Sequence, residues 1–547
     1  MKPKRFVEER KALARLEGKK RLDLILDHPD PKALIRSLPA EELYFTIHEI
    51  GLEDAGALVA YSTPSQFRTF IDLDAWEGYE LAPERILDWL RVAREEGDEF
   101  LQQKLRALDI EVQELLFRRI VRVIDLEEEG EPEEDFIGPV ERTPEGRFLL
   151  VYPPQGPDYA LAKALIDTLY AEDPFMAGRF LYAIRWELDS ELQETALRWR
   201  NARLADLGFP SPEEAASLYA RVDLSAALPP PAGLPASPPG YYLAPREPSG
   251  LFARAMALVG PERQDTAQLE LLTVLNSALV ADGVKPADIP EVRRTLESVH
   301  RTLSLGLEHL AGDDEVRAAH VIATTAVKRI FQVGFTRVLQ LRWRADRMRK
   351  ELPLEIERGS FLPDGLLGER LAALFLRRPR CVVPAEGDRP SEIRAFSSLN
   401  ELQVTSEALD RIEAVARAFQ ETGFDPAAAR EVVVKAWGDA GLARVRYSDL
   451  FLTRLARALV GLPAAWDSLP PDRLADAARA AFEATGELRP GVRETALGLL
   501  PSSDLVTSFV DSALARLRDD LGPAIAAQGH DGLDPRFAAP WIVPEHG

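Results

Sequence analysis

Asp72, Asp74 and Glu77 stand within six residues of one another around Trp76. Hard divalent cations favour several carboxylate oxygens, so this trio is a candidate metal or catalytic carboxylate cluster. Helix capping and turn formation by Asp72 and Asp74, with Trp76 and Trp89 as core anchors, account for the same residues and are the favoured reading. Arg337, Arg342, Arg344, Arg347, Arg349 and Lys350 crowd the end of an expected long helix. Cations there complement the helix dipole; an anion-binding groove formed by Arg337, Arg342, Arg344 and Arg347 is the sharper alternative. His300, His309 and His320 form a loose group in which Gly312, Asp313 and Asp314 are expected to break any shared helical face. They read as separate histidines, because so wide a spacing fixes no coordination geometry. Cys381 lies among Arg377, Arg378 and Arg380, which would lower its pKa if it were exposed. An unreactive thiol is the expectation.

The familiar catalytic and cofactor signatures are missing. No GxxxxGK[ST] or strand-flanked GxGxxG loop is present to cradle a phosphate, and no HExxH or GxSxG occurs. With a single cysteine, zinc cannot be held by paired thiolates. No cofactor and no metal are expected, no catalytic residue can be named, and the balance weighs against an enzyme without excluding one.

The elements that would position such groups are almost all helices. After a basic arm over 1–21, residues 22–125 read as short helices punctuated by proline and glycine, a superhelical module. Thr63, Pro64 and Gln66 supply an N-cap, a first-turn proline and a capping-box partner ahead of Phe67, Phe70 and Ile71. Eight acids crowd positions 125–135, which predicts a solvated turn. A β-hairpin over about 139–153 follows, turning at Thr143-Pro144-Glu145-Gly146. It belongs to a 126–225 segment in which helices are expected over Leu161–Ala171 and Phe175–Leu207.

Eight prolines between 226 and 248 exclude regular structure and mark a linker. A helical domain over 249–352 comes next, its last helix running unbroken from Glu315 to about Leu352. An irregular connection spans 353–399. A C-terminal helical domain, 400–547, ends in a tail from Pro523 that is docked through Phe537, Trp541 and Ile542. The fold class is predominantly all-α, an irregular multi-helix array with one small β insertion.

Composition sets the outer bounds. Of 547 residues, 46% are apolar and 29% charged, the balance of a chain that folds into several units. The net charge of −22 repels phosphate backbones, so nucleic-acid binding is not expected. No run approaches a membrane span, charges interrupt any signal-peptide core, and one cysteine fits a reducing cytoplasm. The arm, with nine basic against three acidic residues, and with Phe6, Val7, Leu13 and Leu16 on one narrow face, is either a docking element or a strap onto the chain's own acidic surface.

Residues Leu34 to Leu90, with the Leu38-Pro39-Ala40-Glu41-Glu42 helix opening and short-helix periodicity, resemble the superhelical N-terminal module of MgtE-type magnesium channels and flagellar motor switch proteins. The channel's membrane part has no counterpart here, so the resemblance does not imply transport. The whole chain resembles a bacterial family defined only as a domain of unknown function, through Ile71-Asp72-Leu73-Asp74-Ala75-Trp76, Ser304-Leu305-Gly306-Leu307-Glu308 and Ile330-Phe331-Gln332-Val333-Gly334-Phe335. That resemblance implies no activity, ligand or partner. The leading expectation is a cytosolic helical scaffold or interaction protein with a protein partner, because helical arrays present extended surfaces. The alternative is an enzyme or small-ligand or ion sensor whose pocket is assembled from residues distant in sequence.

Overall fold

The computed structural model describes residues 18–133, 135–231, 250–352, 364–387 and 390–544, together with Phe6, Glu9, Leu13 and Leu16. Among these residues the chain forms 24 α-helices and seven short strands, a predominantly all-α protein. The first eight helices are α1 (Gly18–Leu26), α2 (Pro31–Ser37), α3 (Ala40–Ile50), α4 (Gly56–Tyr61), α5 (Pro64–Asp74), α6 (Pro83–Glu95), α7 (Asp98–Ala107) and α8 (Ile110–Ile120). Their punctuation is chemical. At the start of α5 the Gln66 amide N–H donates to Thr63 Oγ1 at 3.1 Å, and the Thr63 N–H returns to Gln66 Oε1 at 2.7 Å. The amide nitrogen of the same Gln66 side chain donates to the carbonyls of Ile35 and Leu38 at 3.0 and 2.8 Å, so one capping box also satisfies the end of α2. The turn after α5 carries a two-stranded ribbon, β1 (Trp76–Glu77) with β2 (Glu80–Leu81).

The expected hairpin is present and has a third strand. β3 (Arg122–Asp125) pairs with β5 (Phe148–Val151), which in turn pairs with β4 (Val140–Arg142), all antiparallel. Gly146, at φ 76°, closes the β4–β5 turn by donating to the Thr143 carbonyl at 2.8 Å. Helices α9 (Pro157–Glu172), α10 (Pro174–Trp186), α11 (Asp189–Asp206) and α12 (Pro212–Ala216) follow. The single helix expected over 175–207 is therefore two. Leu188 is extended between them, and Arg118 holds the break by donating to the Glu187 carbonyl at 2.6 Å while pairing with Asp189.

Beyond the proline-rich segment come α13 (Leu251–Met256), α14 (Pro261–Asp282), α15 (Ile289–Ala311), α16 (Glu315–Thr324) and α17 (Val327–Glu351). The unbroken helix expected from Glu315 is divided at Thr325 by a device with no local sequence signal. Glu270 on α14 accepts the Val327 N–H at 2.6 Å, and Arg263, paired with Glu270, donates to the carbonyls of Ile322 and Thr325. A distant ion pair thus supplies both the cap of one helix and the terminus of the other. Where α15 meets α17, a Cβ on Gly334 would lie 2.2 Å from the Thr302 carbonyl oxygen and 2.9 Å from the Gly306 nitrogen. Only glycine permits that backbone approach.

The last helices are α18 (Gly365–Leu374), α19 (Leu399–Glu421), α20 (Pro426–Trp437), α21 (Tyr447–Leu459), α22 (Leu474–Ala481), α23 (Val492–Leu497) and α24 (Asp504–Gln528), with β6 (Cys381–Val383) paired to β7 (Glu392–Arg394). That ribbon lies in the stretch read as irregular. Pro523 does not begin the tail; it sits inside α24, which runs on to Gly529 at φ 75°. In the tail after it, Trp541 and Ile542 are buried. The Ile542 N–H donates to Thr453 Oγ1 at 2.8 Å, while Phe537 is exposed.

The chain divides into two compact units. The first comprises 1–220, 226–300 and 313–332; the second comprises 221–225, 301–312 and 333–547, so the division falls within α15 and α17. Each unit has its own core, the first around Phe67, Phe70, Trp89 and Phe117, the second around Phe419, Tyr447, Phe451 and Trp541. Residues on both sides of the proline-rich segment, up to Ala220 and from Ala226, belong to the first unit. Of the expected 226–248 linker, positions 232–248 lie outside the described residues, as do 353–363 of the 353–399 connection. Most of the basic arm is likewise outside them. Within it, Leu13 is buried, and Arg21 is buried against Glu49 and Thr46 while donating to the Leu13 carbonyl.

Candidate functional site

Asp72, Asp74 and Glu77 are each held by different partners. Asp72 and Asp74, two residues apart at the end of α5, point to different sides of the helix. Asp72 is buried and takes a two-pronged contact from Arg203, at 2.7 and 2.9 Å. Burial nonetheless holds its pKa above the usual carboxylate range, with Arg203 opposing. Asp74 accepts from Trp89 Nε1 at 2.8 Å and Tyr44 Oη at 3.4 Å. Glu77 is exposed on the ribbon and pairs with Lys285 at 2.8 Å, which lowers its pKa. Among the described residues no three Asp, Glu, His or Cys side chains are grouped so as to hold a metal ion.

The basic end of α17 is also committed. Arg344 donates to Ser406, Asp410 and Glu413, and Arg342 caps the α18 terminus through the Leu374 carbonyl at 2.7 Å while stacking on Phe375. Arg337 bonds Gln340, and Arg347 is exposed. His300 is buried edge-on to Phe252 at 5.3 Å; His309 is on the same helix, and His320 is exposed on α16, beyond the break. Cys381 is buried at the start of β6, and desolvation pushes its thiol up to about 12 despite Arg394.

Two recesses were not foreseen. In the first unit, a groove of about 870 Å³ is lined by Pro144, Arg147, Phe148, Phe175, Arg179 and Tyr182. It lies along α10, whose inward face, Ala177, Leu181 and Ile184, packs into the core. The outward face carries Phe175, Arg179, Tyr182 and Trp186 at spacings of three and four residues. Phe175 is 73% exposed and Trp186 57%, with Met176 and Leu188 exposed beside them. A helix apolar on two faces has one face too many for a single core. The groove wall is fixed by charge: Arg147 binds buried Asp125 at 2.7 Å and stacks on Tyr182, while Arg185 reaches Asp125, Glu128 and Glu129. The acidic 125–135 segment is thus partly neutralised by its neighbours.

The second recess lies in the C-terminal unit, about 210 Å³, between α19, α21, α24 and the residues opening α18. Its walls are Leu367, Ile412, Val415, Phe509 and Ala513, with the hydroxyls of Ser508 and Ser512. Its polar end joins residues far apart in sequence. The Ser448 N–H donates to Asp364 Oδ2 at 3.1 Å, and its hydroxyl to Asp364 Oδ1. Arg516 contacts Ser448 Oγ, Asp364 at 3.3 Å, Asp449 at 2.8 Å and Asp520 at 3.3 Å. Burial pushes Asp449 up to about 6, with Arg516 opposing.

Buried Lys104 is structural. The residue is 1% exposed, and its Nζ donates to the Ser62 carbonyl and hydroxyl at 2.7 and 2.9 Å, at the C-terminus of α4 where a cation is favoured. Desolvation pushes its pKa down to about 7.

Fold and recesses together define a two-unit, predominantly α-helical protein, among whose described residues no helix is long and apolar enough to cross a membrane. The chain belongs to the family described as Family of unknown function (DUF6178), whose profile matches residues 1–544. No curated protein and no solved structure matches it.

Proposed function

We propose that the protein is a cytoplasmic interaction protein that docks a partner polypeptide along the outward face of α10. The observation that carries this is the row Phe175, Tyr182 and Trp186 beside a groove of about 870 Å³, aromatic surface of the kind that anchors binding hot spots. Arg179, exposed in the groove, suits a partner segment bearing an acidic side chain between apolar anchors. The net charge of −22 argues for a protein over a nucleic acid as that partner, and the lone buried thiol is consistent with a reducing compartment.

A photo-crosslinking residue at position 175, introduced in the native cell, is expected to give one discrete adduct that disappears when Trp186→Ala is added. The same group at exposed Tyr79 should give none of it. An adduct formed equally at both positions, or no adduct at 175, would reject the docking face. An adduct of twice the 60.8 kDa chain mass would replace the foreign partner with a second copy.

A further inference from the structure

We infer that the C-terminal recess is a binding site for a small primary amine with an apolar body, its ammonium group seated on Asp364. The inference is independent of the docking proposed for α10 and concerns a separate compact unit.

Shape gives the size. A cavity of about 210 Å³ is below the range for drug-sized ligands, so it admits a compact molecule with one ring or a short branched chain. Leu367, Ile412, Val415, Phe509 and Ala513 offer that body an apolar wall assembled from three helices.

Charge gives the headgroup. Three carboxylates, Asp364, Asp449 and Asp520, contact the one guanidinium of Arg516, so around Arg516 carboxylates outnumber cations among the described residues. Each nitrogen of Arg516 already faces an oxygen, which leaves it little to offer an anionic ligand. Among the described residues Asp364 Oδ2 receives the Ser448 N–H, which leaves it further acceptor capacity, and Asp364 lines the cavity. Ser508 and Ser512 add hydroxyl acceptors along the same face of α24. Acceptors in excess of donors suit an ammonium, whose three N–H groups only donate. Arg411, exposed on α19, lines both this cavity and a second groove that it shares with Glu407, Asp410 and Glu413. The entrance therefore does not repel a cation as a whole.

Ser448 is the positioning residue. Its backbone and hydroxyl both bind Asp364, fixing that carboxylate at the first turn of α21.

The test is calorimetric titration of the full chain with phenethylamine, 3-phenylpropanoate and 2-phenylethanol, which share a body and differ in headgroup. Saturable binding of the amine is expected, with affinity reduced about tenfold or more by Asp364→Asn, the scale of one lost charge-assisted hydrogen bond. Ser512→Phe, a change at an exposed helix position that fills the cavity mouth, should abolish it at an unchanged melting temperature. Should Asp364→Asn not fold, Ser512→Phe and the headgroup series decide. Equal or tighter binding of the carboxylate, no saturable amine binding up to ~10 mM, or amine binding that survives either folded variant would overturn the assignment.

Discussion

The first unit buries Phe67, Phe70, Trp89 and Phe117 but also leaves five rings, Tyr79, Phe175, Tyr182, Trp186 and Trp199, exposed. The second leaves Trp343 and Phe537 exposed and gathers a ring cluster inside, where Phe419 touches Phe424, Tyr447, Trp466 and Phe509 at centroid distances of 5.4, 5.0, 4.4 and 5.9 Å. The first unit buries Lys104 against carbonyl and hydroxyl oxygens, and Asp72 against arginine. The second sets Asp364 and Arg516 beside a cavity, with Asp449 against Arg516. A ring left in water forgoes the dispersion and burial that reward it in a core. Exposed rings are therefore informative where they cluster on one helix, as Phe175, Tyr182 and Trp186 do on α10.

The largest expected effect contrasts the two sets of rings. Phe419→Ala should cost about 3–5 kcal/mol, as removal of a buried ring does. Trp186→Ala should stay within about 0.5 kcal/mol, as a surface change does. Urea denaturation followed for each variant checks both, and a cost above about 2 kcal/mol for Trp186→Ala would mean that α10's outer face serves stability after all.

A smaller effect concerns the buried charges of the first unit. Lys104, at about 7 in the fold, lies below its unfolded value near 10.4, so between those pH values the unfolded chain binds the extra proton and stability rises with pH. Glu114 behaves oppositely. Burial and then neighbouring Glu187 raise it to about 7, so the stability it contributes is complete below about pH 4 and is lost as pH climbs through 7. Melting temperatures measured across pH should lose the rise between 7 and 10 in Lys104→Met and the fall between 4 and 7 in Glu114→Gln. Unchanged slopes would show that neither group titrates abnormally.

The smallest effect is expected at the acidic turn. Replacing Glu127, Glu128 and Glu129 with Gln removes exposed pairs with Arg147 and Arg185, which are worth about 1 kcal/mol or less in total. Millimolar magnesium or calcium should leave the melting temperature nearly unchanged. A rise of many degrees that the Gln variant abolishes would turn this segment into a cation site and move functional weight onto the charges of the first unit.

How far such features can be read in advance depends on how local their causes are. The capping box at Thr63 and the hairpin turn at Gly146 are set by residues three apart, and both were legible. The break at Thr325 was not, because the Glu270 and Arg263 groups that make it sit on another helix more than fifty residues away. The ribbon β6–β7 has strands too short to show alternation. Asp72 and Asp74 are neighbours in sequence but not in direction, since two residues on a helix differ by more than half a turn. The C-terminal recess draws on positions 364, 412, 448, 509 and 516, and no spacing announces it. The α10 face did leave a signal: apolar residues at 175, 182 and 186 recur alongside those at 177, 181 and 184, two stripes on one helix.

Cys381 is 5% exposed and burial pushes its thiol up to about 12, so it is expected to react slowly with maleimides at neutral pH. Any cysteine introduced on the surface therefore becomes the faster-reacting thiol without first removing the native one. A spin label or fluorophore at position 175 or 508 would then report on one unit at a time, and paired labels would give distances between chosen points in solution.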